Sequence, residues 1–185
     1  MLILFDAGNT RLKWGVWGGA RWQARGALEN EALQDLDALL APYAPTWIGV
    51  SCVAGAAVRQ RIGDYADAHG IAPHWLVAEA DRHGLHNAYR SPATLGADRY
   101  AALLACLQRG LAPCVVAMAG TALTVDALSA TEGFLGGFIL PGAALMRRAL
   151  ADGTAALANS PGVCQDFPDA TANAVHSGIQ AALGG

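Results

Sequence analysis

The segment Asp6-Ala7-Gly8-Asn9-Thr10 lies between two hydrophobic strands, and an abridged echo, Met118-Ala119-Gly120-Thr121, returns much later in the chain. Leu2 to Phe5 form an apolar run, and Leu12, Trp14 and Val16 alternate with Arg11, Lys13 and Gly15. That pattern reads as a buried strand, a tight glycine turn and a half-buried strand. Cys114 to Met118 is again apolar, Gly120-Thr121 makes a turn, and Leu123 to Leu128 resumes an extended pattern. Two glycine-bearing hairpins at equivalent places imply two related halves. Their backbone N–H groups and Thr hydroxyls can donate to the phosphates of a nucleotide.

The spacing of apolar residues predicts the remaining elements. Strands 2–6, 11–17 and 20–27 form a meander. Leu33, Leu36, Leu39 and Leu40 predict a helix that stops before Pro42, and Trp47 to Val53 a buried strand. Val58, Ile62, Tyr65 and Ala66 predict a second helix stopped by Gly70, and Trp75 to Ala78 another strand. Residues 79–95 read as a long loop, a segment type that is usually functional or mobile. A helix over 97–110, strands near 114–118, 123–128 and 133–140, and helices over 142–152 and 170–183 complete the chain. This is an α/β chain with mixed sheets and duplicated lobes. Lobe boundaries are expected at 1–112 and 113–185, the second lobe ending early.

Composition narrows the function. The chain has 185 residues, 54% of them hydrophobic and 15% charged, with a net charge of -3. There is enough apolar material for a core, and no Lys/Arg cluster that would suit nucleic acid. No segment suits a membrane span or a secretory leader, so a cytoplasmic protein is expected. Cys52, Cys106, Cys114 and Cys164 lack metal-ligand spacing, and buried free thiols are expected for all but Cys164.

Three constellations carry chemistry. Asp6 ends a buried strand, where a carboxylate is costly unless bonded, paired or metal-linked. It can serve Mg2+, which binds few carboxylates beside phosphates, or it can close an Asx-type turn. Thr10 adds a hydroxyl at that turn, and Lys13 a charge on a stem long enough to reach a phosphate. Gly120-Thr121-Ala122 offers a second cradle, in which Met118 holds the place of Asp6. Lastly, Gly96 can turn the chain into a helix whose first turn holds Asp98 and Arg99. Asp98 can cap that helix or deprotonate an alcohol; Arg99 can clamp an anionic or amide-bearing substrate.

Together these residues resemble the type III pantothenate kinases, members of the actin-like superfamily of acetate and sugar kinases, Hsp70 and actin. The matching motifs are Asp6-x-Gly8-Asn9-Thr10-x-x-Lys13, Tyr89-x-x-Pro92-x-x-Leu95-Gly96-Ala97-Asp98-Arg99, Gly120-Thr121-Ala122-x-Thr124-x-Asp126 and Gly137-x-Ile139-x-Pro141-Gly142. A helix start near Thr171 matches as well. The likeness is to the betaproteobacterial branch, some of whose members were first described as Bvg accessory factors. The resemblance implies ATP-dependent phosphorylation of pantothenate to 4'-phosphopantothenate, the first step toward coenzyme A. It implies that Asp6, Gly8, Asn9, Thr10, Lys13, Gly120 and Thr121 hold ATP, with Asp6 serving Mg2+. It further implies Asp98 as general base, Tyr89, Gly96, Ala97, Arg99 and Thr171 around pantothenate, and a homodimer. The family carries an Asp tied to K+ or NH4+ where Met118 stands, so little or no dependence on a monovalent cation is expected. A catalytically silent relative that binds nucleotide or pantothenate is the alternative.

Overall fold

The computed structural model describes residues 1–154 and 161–184. Its first sheet contains β1 (Leu2–Ala7), β2 (Arg11–Trp17), β3 (Trp22–Glu29), β4 (Trp47–Cys52) and β5 (His74–Trp75), in the order β3-β2-β1-β4-β5. β2 runs antiparallel to β1 and β3, whereas β4 is parallel to β1 and β5 is parallel to β4. Parallel neighbours need a crossover. The first crossover passes through a 3-10 turn, Asn30–Asp35, and α1 (Leu36–Leu40); the second passes through α2 (Ala56–Ala68). Ile3, Phe5 and Ala7 alternate inward along β1 and join Leu12, Ile48, Leu36, Leu40, Ile62 and Tyr65 in one buried cluster. Each large side chain removed from water there contributes roughly 1.5–3 kcal/mol.

Next come a hairpin of β6 (Asp81–Arg82) and β7 (Leu85–His86), then α3 (Ala97–Gln108). A second sheet follows, made of β8 (Cys114–Ala119), β9 (Ala122–Ser129) and β10 (Gly133–Pro141) in the order β10-β9-β8. That order repeats β3-β2-β1, which is the duplication that the two hairpins imply. α4 (Ala143–Gly153) and α5 (Thr171–Gly184) pack on each other. The chain divides into two compact units, Met1–Cys114 with Leu128–Leu135, and Val115–Ala127 with Gly136–Gly185. The chain is therefore of the α/β class, with a mixed first sheet and the same three-strand order in the second. Among the described residues, no helix is long and apolar enough to cross a membrane.

Several expectations need correction. The single helix over 33–40 is a 3-10 turn followed by a five-residue α-helix, with Ala32 outside helical geometry. Asn30 is drawn away from the helix because its backbone N–H donates to Thr10 O and its Nδ2 to Gly8 O. The third strand starts at Trp22 rather than residue 20, since the Gly18 N–H to Arg21 O bond makes a wider turn. Of the fifth predicted strand, Trp75 to Ala78, only Trp75 lies in a strand: β5 starts one residue earlier at His74, and beyond Trp75 the Leu76 N–H still donates to Val50 O. Segment 79–95 is not a bare loop. It holds the β6–β7 hairpin, whose turn His83-Gly84 has positive φ at both residues (54° and 81°), and a 3-10 turn at Pro92–Thr94. Such a turn matches the twist of its strands. Cys52, Cys106 and Cys114 are half-buried rather than buried. Burial still pushes the Cys114 thiol's pKa up, and a side-chain contact with Cys106 adds to it.

Tyr65 supplies a test of this core. Its ring meets Phe5 edge-on, centroids 6.0 Å apart, while its buried hydroxyl has no hydrogen-bond partner among the described residues. Burial, and secondarily the Asp37 carboxylate, raises its pKa above the ordinary value. A raised folded-state pKa contributes stability below about pH 10 that is lost as pH climbs through the folded value. Tyr65→Phe keeps the ring contact and removes an unpaired buried hydroxyl. Denaturant unfolding at pH 7 should therefore show unchanged stability or a gain of up to about 1 kcal/mol. The variant should also lose less stability than the parent above about pH 10. A loss greater than about 1 kcal/mol at pH 7 would mean that the hydroxyl is bonded.

Candidate functional site

The β1–β2 hairpin fixes its charged pair by register. Asp6 and Lys13 are directly opposed across the two strands, and Lys13 Nζ donates to Asp6 Oδ2 at 3.2 Å. Asp6 is not the buried carboxylate expected from the sequence. It alternates away from the core-facing Phe5 and Ala7, so its side chain is 44% exposed and that of Lys13 is 64% exposed. An ion pair this open contributes at most about 1 kcal/mol to stability, so it remains available to a ligand. Gly8 N–H donates to Arg11 O to close the turn, with Asn9 and Thr10 exposed at its tip. Asn30 clamps the turn from outside, a role hidden in the sequence because Asn30 lies inside a segment that reads as a helix entry.

The first turn of α3 is set by Gly96. A Cβ there would lie 2.6 Å from Asp98 Oδ1, so only glycine lets the carboxylate fold back over the helix end. Asp98 Oδ1 accepts from the Arg99 N–H at 2.8 Å, which is the capping use foreseen for it. Its half-buried side chain keeps a second oxygen. The same Gly96 position is 3.5 Å from Val53, and the N–H groups of Val53 and Ala54 both donate to Ala7 O. The end of β1 that carries Asp6 and the start of α3 that carries Asp98 are thus joined through the end of β4.

Arg99 is only 4% exposed. Its Nη1 donates to Tyr89 Oη at 3.0 Å, and its guanidinium carbon lies 5.8 Å from the ring centroids of both Tyr89 and Phe134. Ala97 is also buried. Phe134 is fully buried, and its O accepts the Ala88 N–H at 3.2 Å. Gly133 admits this approach, because a Cβ there would strike the His86 backbone. No sequence pattern marks Phe134 as part of this wall, since its partners are distant in the chain.

The remaining candidates belong to the second unit. Gly120 N–H donates to Ala122 O at 2.9 Å, and Thr121 O accepts the Gly142 N–H at 2.9 Å. Gly142 must be glycine because a Cβ would fall on the carbonyl oxygens of Gly120 and Thr121. Asp126 is 1% exposed, and Gly137 lies so close that a Cβ would meet its carboxylate. Met118 is half-buried on β8. Thr171 opens α5 and lines an apolar groove of about 450 Å³ with Met146, Leu150 and Ile179. Among the described residues no group of three or more His, Cys, Asp or Glu could hold a metal ion.

The type III pantothenate kinase family model matches residues 2–185. A type III pantothenate kinase from Aromatoleum aromaticum is 45% identical over all of this chain and 77% of its own length. One from Thiobacillus denitrificans is 44% identical over 99% of this chain and 74% of its own. Among solved structures, a Baf family protein from Campylobacter jejuni superposes with a TM-score of 0.62 at 23% identity. It covers 98% of this chain and 75% of that one, a likeness of fold. With a family match along nearly its whole length and relatives at 44% and 45% identity, this chain belongs to the type III pantothenate kinase family.

Proposed function

We propose that this chain transfers the γ-phosphoryl group of ATP to the terminal hydroxyl of pantothenate, with Asp98 as the base. The observation that carries the reading is the Gly96-dependent seat of Asp98, joined through β4 to the strand end that bears Asp6 and Lys13. The hydroxyl oxygen attacks the γ-phosphorus, the bond to the ADP oxygen breaks, and the hydroxyl proton passes to Asp98. Phosphoryl transfer draws most of its acceleration from positioning and charge neutralisation. Lys13, exposed and paired only loosely, can exchange Asp6 for a phosphate oxygen.

An exposed carboxylate at a strand end suits Mg2+, which takes one or two carboxylates and completes its shell with water and phosphate oxygens. Asp6 would hold it, and the ion would neutralise charge on the phosphates. On the second unit, Gly120 and Thr121 are assigned to ATP and Thr171 to pantothenate, as the family motifs imply. Tyr89, Gly96, Ala97 and Arg99 form the pantothenate wall of the first unit. Nothing in the chain favours a catalytically silent relative, because Asp6, Lys13, Asp98 and Arg99 are all present. A homodimer working in the cytoplasm completes the reading.

The direct test is ADP release with pantothenate, ATP and Mg2+. Asp98→Asn should leave the fold and ATP binding intact and lower turnover by roughly 100-fold or more. Turnover within a few-fold of the parent would remove Asp98 from the base role. Asp6→Asn keeps an acceptor oxygen and loses the charge. Calorimetry should then show normal melting with loss of Mg·ATP binding, whereas unchanged binding would leave Asp6 with a hairpin role alone.

The monovalent cation gives a further test. Met118 offers a thioether, a poor ligand for K+, and Asp126 is buried against Gly137. Kinase rates in Tris buffer with and without added K+ should agree within about twofold. A strong K+ requirement would show that other oxygens rebuild the site.

A further inference from the structure

Asn87 is the most heavily bonded side chain in the segment that leads into α3, and no role above uses it. It is 3% exposed. Its Nδ2 donates to Glu79 O at 3.3 Å and to Pro92 O at 3.1 Å, and its Oδ1 accepts from the Tyr89 N–H at 3.1 Å. Its backbone N–H donates to Ala80 O at 2.8 Å, and it forms a bridge with Phe134. One side chain therefore ties the start of the segment, Tyr89, and the turn at Pro92 that precedes Gly96.

We infer that Asn87 is a positioning residue for pantothenate, acting through Tyr89 on Arg99. Two donors and one acceptor on a short stem are what these three contacts require, and among side chains of that length only Asn provides them. Asp would present a carboxylate to two carbonyl oxygens; Gln is one methylene too long for a site this closed. The Asn87–Tyr89 bond fixes the backbone that aims the Tyr89 ring at Phe134, with centroids 5.3 Å apart. The same ring carries the hydroxyl that accepts from Arg99. With Tyr89 released, the Arg99 guanidinium loses both a hydrogen-bond acceptor and one of its two aromatic walls.

The inference rests on the pantothenate kinase reading, and its test separates the two. Asn87→Ser, Tyr89→Phe and the double variant are compared with the parent by steady-state kinetics and by amide exchange over residues 79–96. Circular dichroism confirms that each is folded, and Asn87→Ala replaces Asn87→Ser should the latter not fold. Asn87→Ser should raise KM for pantothenate at least about 10-fold, with KM for ATP within twofold. The double variant should raise it by clearly less than the product of the single effects, because both changes act on the same Arg99 contact. Exchange at the Tyr89 amide should quicken in Asn87→Ser and not in Tyr89→Phe. An unchanged KM for pantothenate, a fully multiplicative double variant, or unchanged exchange at Tyr89 would overturn the role. A parent that releases no ADP with pantothenate would instead overturn the kinase reading, and the exchange comparison would still decide whether Asn87 positions Tyr89.

Discussion

The register of β1 against its two neighbours is the constraint from which the site follows. Side chains alternate along a strand, so burying Ile3, Phe5 and Ala7 places Asp6 on the opposite face. A slip of one residue would drive the carboxylate into the apolar cluster and expose Phe5. Pairing with β2 sets Lys13 opposite Asp6, and pairing with β4 sets Ser51 on its other side. The hydrophobic cluster therefore fixes which polar atoms stand at the strand end. It does so without spending any buried charge.

Much of this was legible because it is local and periodic. The apolar runs and the glycine turns gave both hairpins, and the repeated three-strand order appears in the two sheets. Asp98 and Arg99 fell in the first turn of α3, as their place after Gly96 implies. The parts that were hidden depend on atoms far apart in sequence. Asn30 holds a turn twenty-two residues before it, and Phe134 covers Tyr89 and Arg99 from the start of β10. The burial of Asp6 was misjudged because the length of an apolar run does not show which face its last residue takes. Segment 79–95 looked unstructured because its hairpin strands are two residues each, too short to show alternation.

The two hairpins also show how a repeat can diverge while keeping its backbone. Gly120-Thr121 retains the turn, and Gly142 presses against its carbonyl oxygens. Met118 stands where the first hairpin has Asp6, so the second copy has kept the loop without the charge. Asp126 remains as the buried acid of that unit, enclosed by Gly137. Close backbone approach at these glycines preserves shape where side-chain chemistry has been free to change.

Gly96 carries this furthest. It has no functional group, yet a Cβ there would lie 2.6 Å from Asp98 Oδ1, so any side chain would shift that carboxylate. A side chain at this spot therefore moves the carboxylate from its place over the helix end, while the backbone around it leaves room. The neighbouring surface is different, because Arg90, Ser91 and Ala93 are exposed. Adaptation to a differently shaped alcohol would have its freedom there, along the rim, while the first turn of α3 stays as it is.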